Sequence, residues 1–151
     1  MSRVFRFSVE RDLMELWRKL ESMGVYWISI PLFRCVDGDY IEVVVYDDEA
    51  ELIPPCWLPF ELRSILEEMA VAYREHVDWK KTIYEDYKLW IEHASRYWKV
   101  SEEERKRKVE EILRSLKPKI EEEARSLQKE FKLLSERWKK KIREIKSKKF
   151  Y

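Results

Sequence analysis

The stretch Glu51-Leu52-Ile53-Pro54-Pro55-Cys56-Trp57-Leu58-Pro59-Phe60-Glu61-Leu62 divides the chain. Before it, apolar residues alternate with polar ones or form β-branched runs, which indicates strands. After it, apolar residues recur every three or four positions, which indicates helices. Pro55 would end a strand, and Pro59 suits the first turn of a helix. The sequence therefore predicts an α+β fold, with a small strand-rich module in residues 1–57 and a mainly α-helical bundle in residues 58–151.

The residues before this stretch predict a small module of strands and one helix. Residues 25–30 and 40–46 are rich in β-branched and aromatic residues, and the Asp-Gly pair between these segments predicts a hairpin. Ser8 can cap a helix that is followed by Gly24, which suits a left-handed C-terminal position. Because so few elements bury little apolar surface, we expect the module to depend on the helices or on another subunit.

The residues after this stretch predict four or five helices. Ser101 and Glu104 form a capping box, and Pro118 should kink or restart the helix that begins there. The last helix carries two apolar rows with a spacing of seven residues, which a helix of the same chain or of another chain can cover. We expect part of this seam to be a subunit interface: Ala124, Leu127, Phe131, Leu134 and Trp138.

Aromatic residues are frequent, with seven tryptophans and eight tyrosines in 151 residues. Trp79, Trp90 and Trp138 lie on apolar stripes, so we expect these three side chains in the core. Aromatic side chains are also enriched at the buried centres of protein interfaces.

The formal net charge of +1 conceals an uneven distribution of charged residues. Residues 1–99 contain 13 basic and 19 acidic residues, whereas residues 100–151 contain 18 basic and 11 acidic ones. One interpretation is that the charges form solvated faces that keep the protein soluble. The other is that an acidic stretch faces a protein partner, through Asp37, Asp39, Asp47, Asp48 and Glu49.

The basic residues are concentrated at the end of the chain, where eight bases and one acid occur from Arg137 to Lys149. Such a segment repels itself unless an acidic subunit or DNA neutralises it. We expect a subunit, because no stacking or base-reading residues accompany the bases. The partner-facing bases are then Lys139, Lys140, Lys141 and Arg143, and Phe150 and Tyr151 would anchor the end.

The sequence offers little for catalysis. His76 and His93 have no metal-ligand spacing, so we interpret them as surface or interface residues. Cys35 and Cys56 lack a nearby histidine and are interpreted as buried structural thiols in a reducing compartment. With only two glycines and no phosphate loop, the sequence predicts a protein that is not an enzyme and that needs no cofactor or metal.

The chain has no apolar run of the roughly 18 residues that a membrane span needs and no apolar signal core before its first charges. We therefore expect a soluble cytoplasmic protein without a membrane partner. Its excess of Lys, Glu and Arg with few Gly is typical of thermophiles.

Residues 51–62 resemble the Glu-Leu-Pro-x-Trp-Leu-Ala-x-x-Leu segment of the GINS family of DNA-replication proteins. The resemblance is to the archaeal subunit type that carries the small β-domain before the helical domain and is related to the eukaryotic Psf-two and Psf-three subunits. Pro59 replaces the alanine of the motif, and one extra residue precedes Pro55. The matching residues, which also form the predicted domain junction, are Pro55, Trp57, Leu58 and Leu62.

This resemblance implies a non-catalytic scaffold. It implies a hetero-tetramer with a second GINS subunit type, and binding to the minichromosome-maintenance helicase and to a Cdc45/RecJ-like protein, with primase as a further candidate. The location would be cytoplasmic and nucleoid-associated, and DNA contact would be weak at most. The basic end supports an alternative, a basic helical nucleic-acid-binding protein whose DNA affinity falls steeply with salt.

Overall fold

The computed structural model describes residues 2–80 and 84–148. It confirms the predicted α+β class, because a small four-stranded sheet near the N-terminus is followed by helices that include one long C-terminal helix. In chain order the elements are β1 (Ser2–Ser8), α1 (Leu13–Ser22), β2 (Trp27–Ser29), β3 (Tyr40–Tyr46), β4 (Glu49–Ile53), α2 (Phe60–Asp78), α3 (Tyr84–Ser95) and α4 (Glu102–Lys148). The expected anchor residues Phe150 and Tyr151 lie outside the described residues.

The chain divides into two compact units, and the division differs from the predicted boundary at residue 57. The first unit comprises residues 1–74 and 129–151, and the second comprises residues 75–128. The first unit therefore contains the sheet, most of α2 and the last part of α4. The physical reason is that a four-stranded sheet cannot bury its apolar face without helices packed on it.

Two buried hydrogen bonds hold these helices in the first unit. Trp138 of α4 donates from Nε1 to the carbonyl oxygen of Val9 at 2.7 Å. The Tyr73 hydroxyl of α2 donates to the carbonyl oxygen of Val25, and burial raises the pKa of that hydroxyl. Both acceptors lie in connections next to α1, so α2 and α4 satisfy backbone groups that would otherwise be buried without a donor.

The strand order of the sheet is β1-β3-β4-β2, with β3 antiparallel to both β1 and β4 and β2 parallel to β4. The predicted hairpin between residues 25–30 and 40–46 is therefore wrong. The hairpin partner of β3 is β4, which follows a turn at Asp47 and Asp48. Asp47 has a φ of 47°, which the short polar side chain of aspartate tolerates better than most residues do.

One face of this sheet is the core of the first unit. Phe7 pairs with Ile41, and Val43 pairs with Leu52, so these side chains share a face. Each of the four is at most 2% exposed. The buried side chains of α1 are Leu13, Leu16, Trp17 and Leu20, as their spacing of three and four residues predicted.

The ends of α1 are determined by local signals that the sequence contains. Its N-cap is Asp12 rather than the predicted Ser8, which is the last residue of β1. The Asp12 carboxylate accepts a hydrogen bond from the Met14 backbone N–H at 2.9 Å. Gly24 has a φ of 76° just past the helix, which confirms the predicted left-handed position.

The last helix, α4, is one continuous helix of 47 residues that contains Pro118. Of the two predicted outcomes at this proline, the restart is wrong, because strong helix formers flank it on both sides. The described residues after position 57 therefore form three helices instead of the expected four or five. At its start the Ser101 hydroxyl accepts from the Glu104 N–H at 3.2 Å, which confirms the N-cap hydrogen bond of the predicted capping box. In the second unit, two positions of the predicted seam are half-buried, Ala124 and Leu127.

Three positions of the predicted subunit interface are buried inside the chain itself. Phe131, Leu134 and Trp138 are 2%, 4% and 0% exposed. The Phe131 ring stacks on the Trp17 ring of α1, with 4.7 Å between the ring centroids. The interface prediction is therefore wrong for these three residues, because the first unit already covers the seam that the heptad spacing indicated.

The two cysteines are corrected as well. Cys35 and Cys56 form a disulfide with a Cα–Cα distance of 4.8 Å, and both residues are exposed. The prediction of buried free thiols is wrong because Val36 and Pro55 form a parallel bridge that brings their neighbours together. The disulfide joins residues 21 positions apart, and no local pattern indicates it.

We expect Trp138→Ala to lower the free energy of unfolding by about 3–5 kcal/mol, because it empties a fully buried site and removes the donor to Val9. Urea unfolding of the full chain measures this change. Leu133→Ala is the matched control on the same helix, since Leu133 is 62% exposed, and it should change stability by less than about 0.5 kcal/mol. Equal effects of the two substitutions would contradict this packing.

We expect reduction of the disulfide to lower the free energy of unfolding by about 3 kcal/mol, because the bond closes a loop of roughly twenty residues in the unfolded chain. Urea unfolding with and without a reductant measures the change, and a Cys35→Ser/Cys56→Ser variant should be insensitive to the reductant. Peptide mapping of the native chain that found two free thiols would contradict the pairing.

Candidate protein-interaction surface

The most exposed large apolar side chain of the described residues is Phe33, which is 97% exposed. Its neighbour Leu32 is 74% exposed. Both lie in residues 30–36, the first part of the connection between β2 and β3, which we call the β2–β3 loop. No motif or periodicity marks these two residues in the sequence, although an apolar pair between Pro31 and Arg34 fits neither a strand nor a helix.

Three contacts fix the β2–β3 loop in place. Arg63 of α2 donates from Nη2 to the carbonyl oxygen of Pro31 at 2.8 Å. The Arg34 guanidinium pairs with the Glu51 carboxylate of β4 at 2.6 Å. The disulfide at Cys35 holds the far end of the loop. The exposed apolar pair therefore projects from a loop that is already ordered, which lowers the entropy cost of binding through it.

The predicted junction residues lie where the chain passes from β4 to α2. Pro55 is buried, and Leu62 of α2 is 0% exposed. Trp57 and Leu58 are half-buried, and Trp57 donates from Nε1 to the carbonyl oxygen of Gly38 at 2.9 Å. All four residues belong to the first unit, so the predicted domain junction is instead a connection inside one unit.

The acidic residues do not form one face. Asp47, Asp48 and Glu49 lie at the turn between β3 and β4, whereas Asp37 and Asp39 precede the other end of β3. The seven residues of β3 separate these groups by about 20 Å, which is beyond the screening length at physiological salt. All five are exposed, but they act as two separate acidic groups rather than as one field.

The basic end of α4 is partly neutralised by acids of the first unit. Lys139 pairs with Asp12 at 3.0 Å, and Lys141 pairs with Glu61 at 2.7 Å. A hydrogen bond and the charge of Lys141 lower the pKa of Glu61, and the same contact raises the pKa of Lys141. The prediction that these two lysines require another subunit or DNA is therefore wrong.

Further along α4, Lys146 pairs with Glu10 and lies 3.9 Å from Asp39. The remaining predicted bases, Lys140 and Arg143, are exposed. Fewer basic side chains of this end are therefore available to a partner than the number of bases in the sequence suggests.

The histidines are not arranged as a site. His93 is exposed, and its ring lies 6.0 Å from the Tyr97 ring. His76 is 0% exposed, so its interpretation as a surface or interface residue is wrong. Within residues 2–80 and 84–148, no three His, Cys, Asp or Glu side chains are grouped so that they could hold a metal ion.

Comparisons with known proteins identify no relative of this chain. No protein-family model matches the chain, and no significant match exists among curated proteins or solved structures. None of the described helices combines the length and the apolar character needed to cross a membrane.

Among the carboxylates of the first unit that pair with lysines of α4, the least exposed is Asp12, which links α1 to α4. Burial alone would raise its pKa, but hydrogen bonds from the Ser135 hydroxyl, the Met14 N–H and the Lys139 ammonium outweigh burial and lower the pKa below 3.8. A carboxylate whose pKa is lower in the folded state stabilises the fold above its unfolded pKa. That stability is lost as the pH falls through the folded pKa.

We expect Asp12→Asn to lower the free energy of unfolding by about 0.5–1 kcal/mol at neutral pH, because asparagine still caps α1 but loses the pairing with Lys139. The difference from the wild type should shrink as the pH falls below 3.8. Urea unfolding at a series of pH values measures it. Asp37→Asn, at an exposed position, is the control and should change the free energy of unfolding by less than about 0.5 kcal/mol at neutral pH. A pH-independent loss of stability in Asp12→Asn would contradict the charge argument.

Proposed function

We propose that the chain is a non-catalytic subunit of a GINS-type DNA-replication complex, in which it connects the minichromosome-maintenance helicase with a Cdc45/RecJ-like protein. The observation that carries the proposal is the exposed pair Leu32 and Phe33 on a loop held by three contacts. Exposed apolar groups on ordered backbone are typical of protein-binding surfaces.

The resemblance in residues 51–62 supports the same proposal. Its matching residues lie in the passage from the last strand to the first helix that follows the sheet. In the resembled family the small strand-rich domain precedes the helices and binds partners, and the β2–β3 loop belongs to this part of the chain. The loop is therefore the surface that we assign to the helicase or the Cdc45/RecJ-like protein, with primase as a further candidate.

The disulfide and the composition support an archaeal, thermophilic setting. Disulfides are rare in cytosolic proteins, but intracellular proteins of hyperthermophiles are an exception. The chain contains both a disulfide and the charged, glycine-poor composition of thermophiles. A cytoplasmic, nucleoid-associated location is compatible with the disulfide in such an organism, and the chain would form a hetero-tetramer there with a second GINS subunit type.

The ion pairs of α4 weigh against the alternative, a basic helical nucleic-acid-binding protein. Lys139, Lys141 and Lys146 already pair with carboxylates of the first unit. Each such pair must be broken before its lysine releases a counterion from DNA, so contact with phosphates gains less free energy than the base count suggests. We therefore propose DNA contact that is weak at most.

The test is assembly of the full chain with the second GINS subunit type and then with the helicase and the Cdc45/RecJ-like protein of the same organism. We expect a stoichiometric tetramer by light scattering. A Leu32→Ser/Phe33→Ser variant should still form the tetramer but should bind one of the two larger partners at least about tenfold more weakly, because it loses the exposed apolar pair.

The matched control is Leu133→Ser, which changes an apolar side chain of the first unit that is 62% exposed and distant in sequence from the β2–β3 loop. This variant should bind all partners like the wild type. A wild-type chain that formed no complex with the second subunit type would overturn the proposal. Nanomolar DNA binding at physiological salt by the chain alone would instead favour the nucleic-acid-binding alternative.

A further inference from the structure

The second unit has an open groove of about 620 Å³ that is lined by Trp79, Asp86, Tyr87 and Trp90. Trp79 directly follows the last residue of α2, and the other three residues lie on α3. On a helix, Asp86 and Tyr87 are four and three residues from Trp90, so the three side chains share one face. The groove is thus formed by three aromatic rings and one carboxylate.

The exposure of this groove contradicts a prediction from the sequence. Trp90 was expected in the core, but it is 70% exposed, and Tyr87 is 43% exposed. The buried residues of α3 are Ile91 and Ser95, so the helix turns its aromatic face away from the core of the second unit. Trp79, which was also expected in the core, is half-buried, so the exposed aromatic surface of the groove comes mainly from Trp90 and Tyr87.

The chemistry of the groove selects a cation. The faces of aromatic rings carry partial negative charge and attract cations, with tryptophan the strongest of the three aromatic residue types. The Asp86 carboxylate adds a full negative charge at the same place, and α3 carries a second acid, Glu85, in its first turn. This carboxylate would repel an anionic ligand.

Among cations, a guanidinium fits the groove best. It is planar and weakly hydrated, so it can stack on an indole, and its N–H groups can form two parallel hydrogen bonds with a carboxylate. A quaternary ammonium has no N–H to donate to Asp86, and the lysine ammonium is strongly hydrated. The chain itself uses this contact elsewhere, because the Arg74 guanidinium lies 3.9 Å from the Tyr26 ring centroid and 4.5 Å from that of Trp27.

We propose that this groove binds an arginine side chain of a partner protein. The guanidinium stacks on the rings of Trp90 and its neighbours and pairs with Asp86, while the groove's open side accepts the rest of a peptide. The site shares no residue with the β2–β3 loop. The proposal of an arginine-binding groove is therefore independent of the proposed role in replication.

The test uses the full-length chain labelled with ¹⁵N and titrated with N-acetyl-arginine amide, with the indole N–H signals of Trp79 and Trp90 as the readout in NMR spectra. We expect saturable shifts of these two signals and at least about threefold weaker binding of N-acetyl-lysine amide. Asp86→Asn and Trp90→Ala should each weaken arginine binding by about tenfold or more.

The matched control is Leu89→Ala, at a residue of the same helix that is 64% exposed and does not line the groove; it should bind like the wild type. Circular dichroism checks that each variant keeps the wild-type helix content. Equal affinity in Asp86→Asn, shifts that do not saturate, or tighter binding of tetramethylammonium than of the arginine ligand would each overturn the proposal.

Discussion

The structure of the first unit depends on one constraint: the four-stranded sheet has an apolar face that its own strands cannot cover. Val43 and Leu52 at the centre of this face are almost fully buried, although the strands are short. The helices that cover this face belong to the same compact unit: α1, most of α2 and the C-terminal part of α4. Because Trp138 also donates to the carbonyl oxygen of Val9, the C-terminal part of α4 is needed both for packing and for hydrogen bonding.

The parts of the fold that the sequence predicted are those determined by neighbouring residues. The helical spacing of Leu13, Leu16 and Leu20, the capping box at Ser101 and the left-handed Gly24 are all local signals. The order of the strands could not be predicted in this way. The β4 strand is only five residues long and carries two glutamates, so its short alternation of buried and exposed residues is a weak pattern beside the clear Asp-Gly signal.

The candidate site was predictable only in part, for a related reason. A count of charges along the sequence shows that the C-terminal end is basic, but it does not show which acidic side chains pair with these bases in the fold. Lys139 and Asp12 are 127 positions apart and meet only because α4 packs next to the start of α1. The disulfide and the contacts of Arg34 and Arg63 are likewise long-range, so the ordered β2–β3 loop emerges from the tertiary structure and not from its own sequence.

Trp138 and Trp90 show why a surface for partners is hard to recognise from sequence. Both lie on apolar stripes with helical spacing, yet one is 0% and the other 70% exposed. The periodicity of a helix identifies an apolar stripe, but burial requires a second surface that covers the stripe. For Trp138 that surface is the first unit itself. For Trp90 it is not among the described residues, because α3 buries Ile91 and Ser95 instead. An exposed tryptophan gives up most of the free energy that its burial would contribute, so a protein that covered the groove of Trp90 and Asp86 would recover part of that free energy.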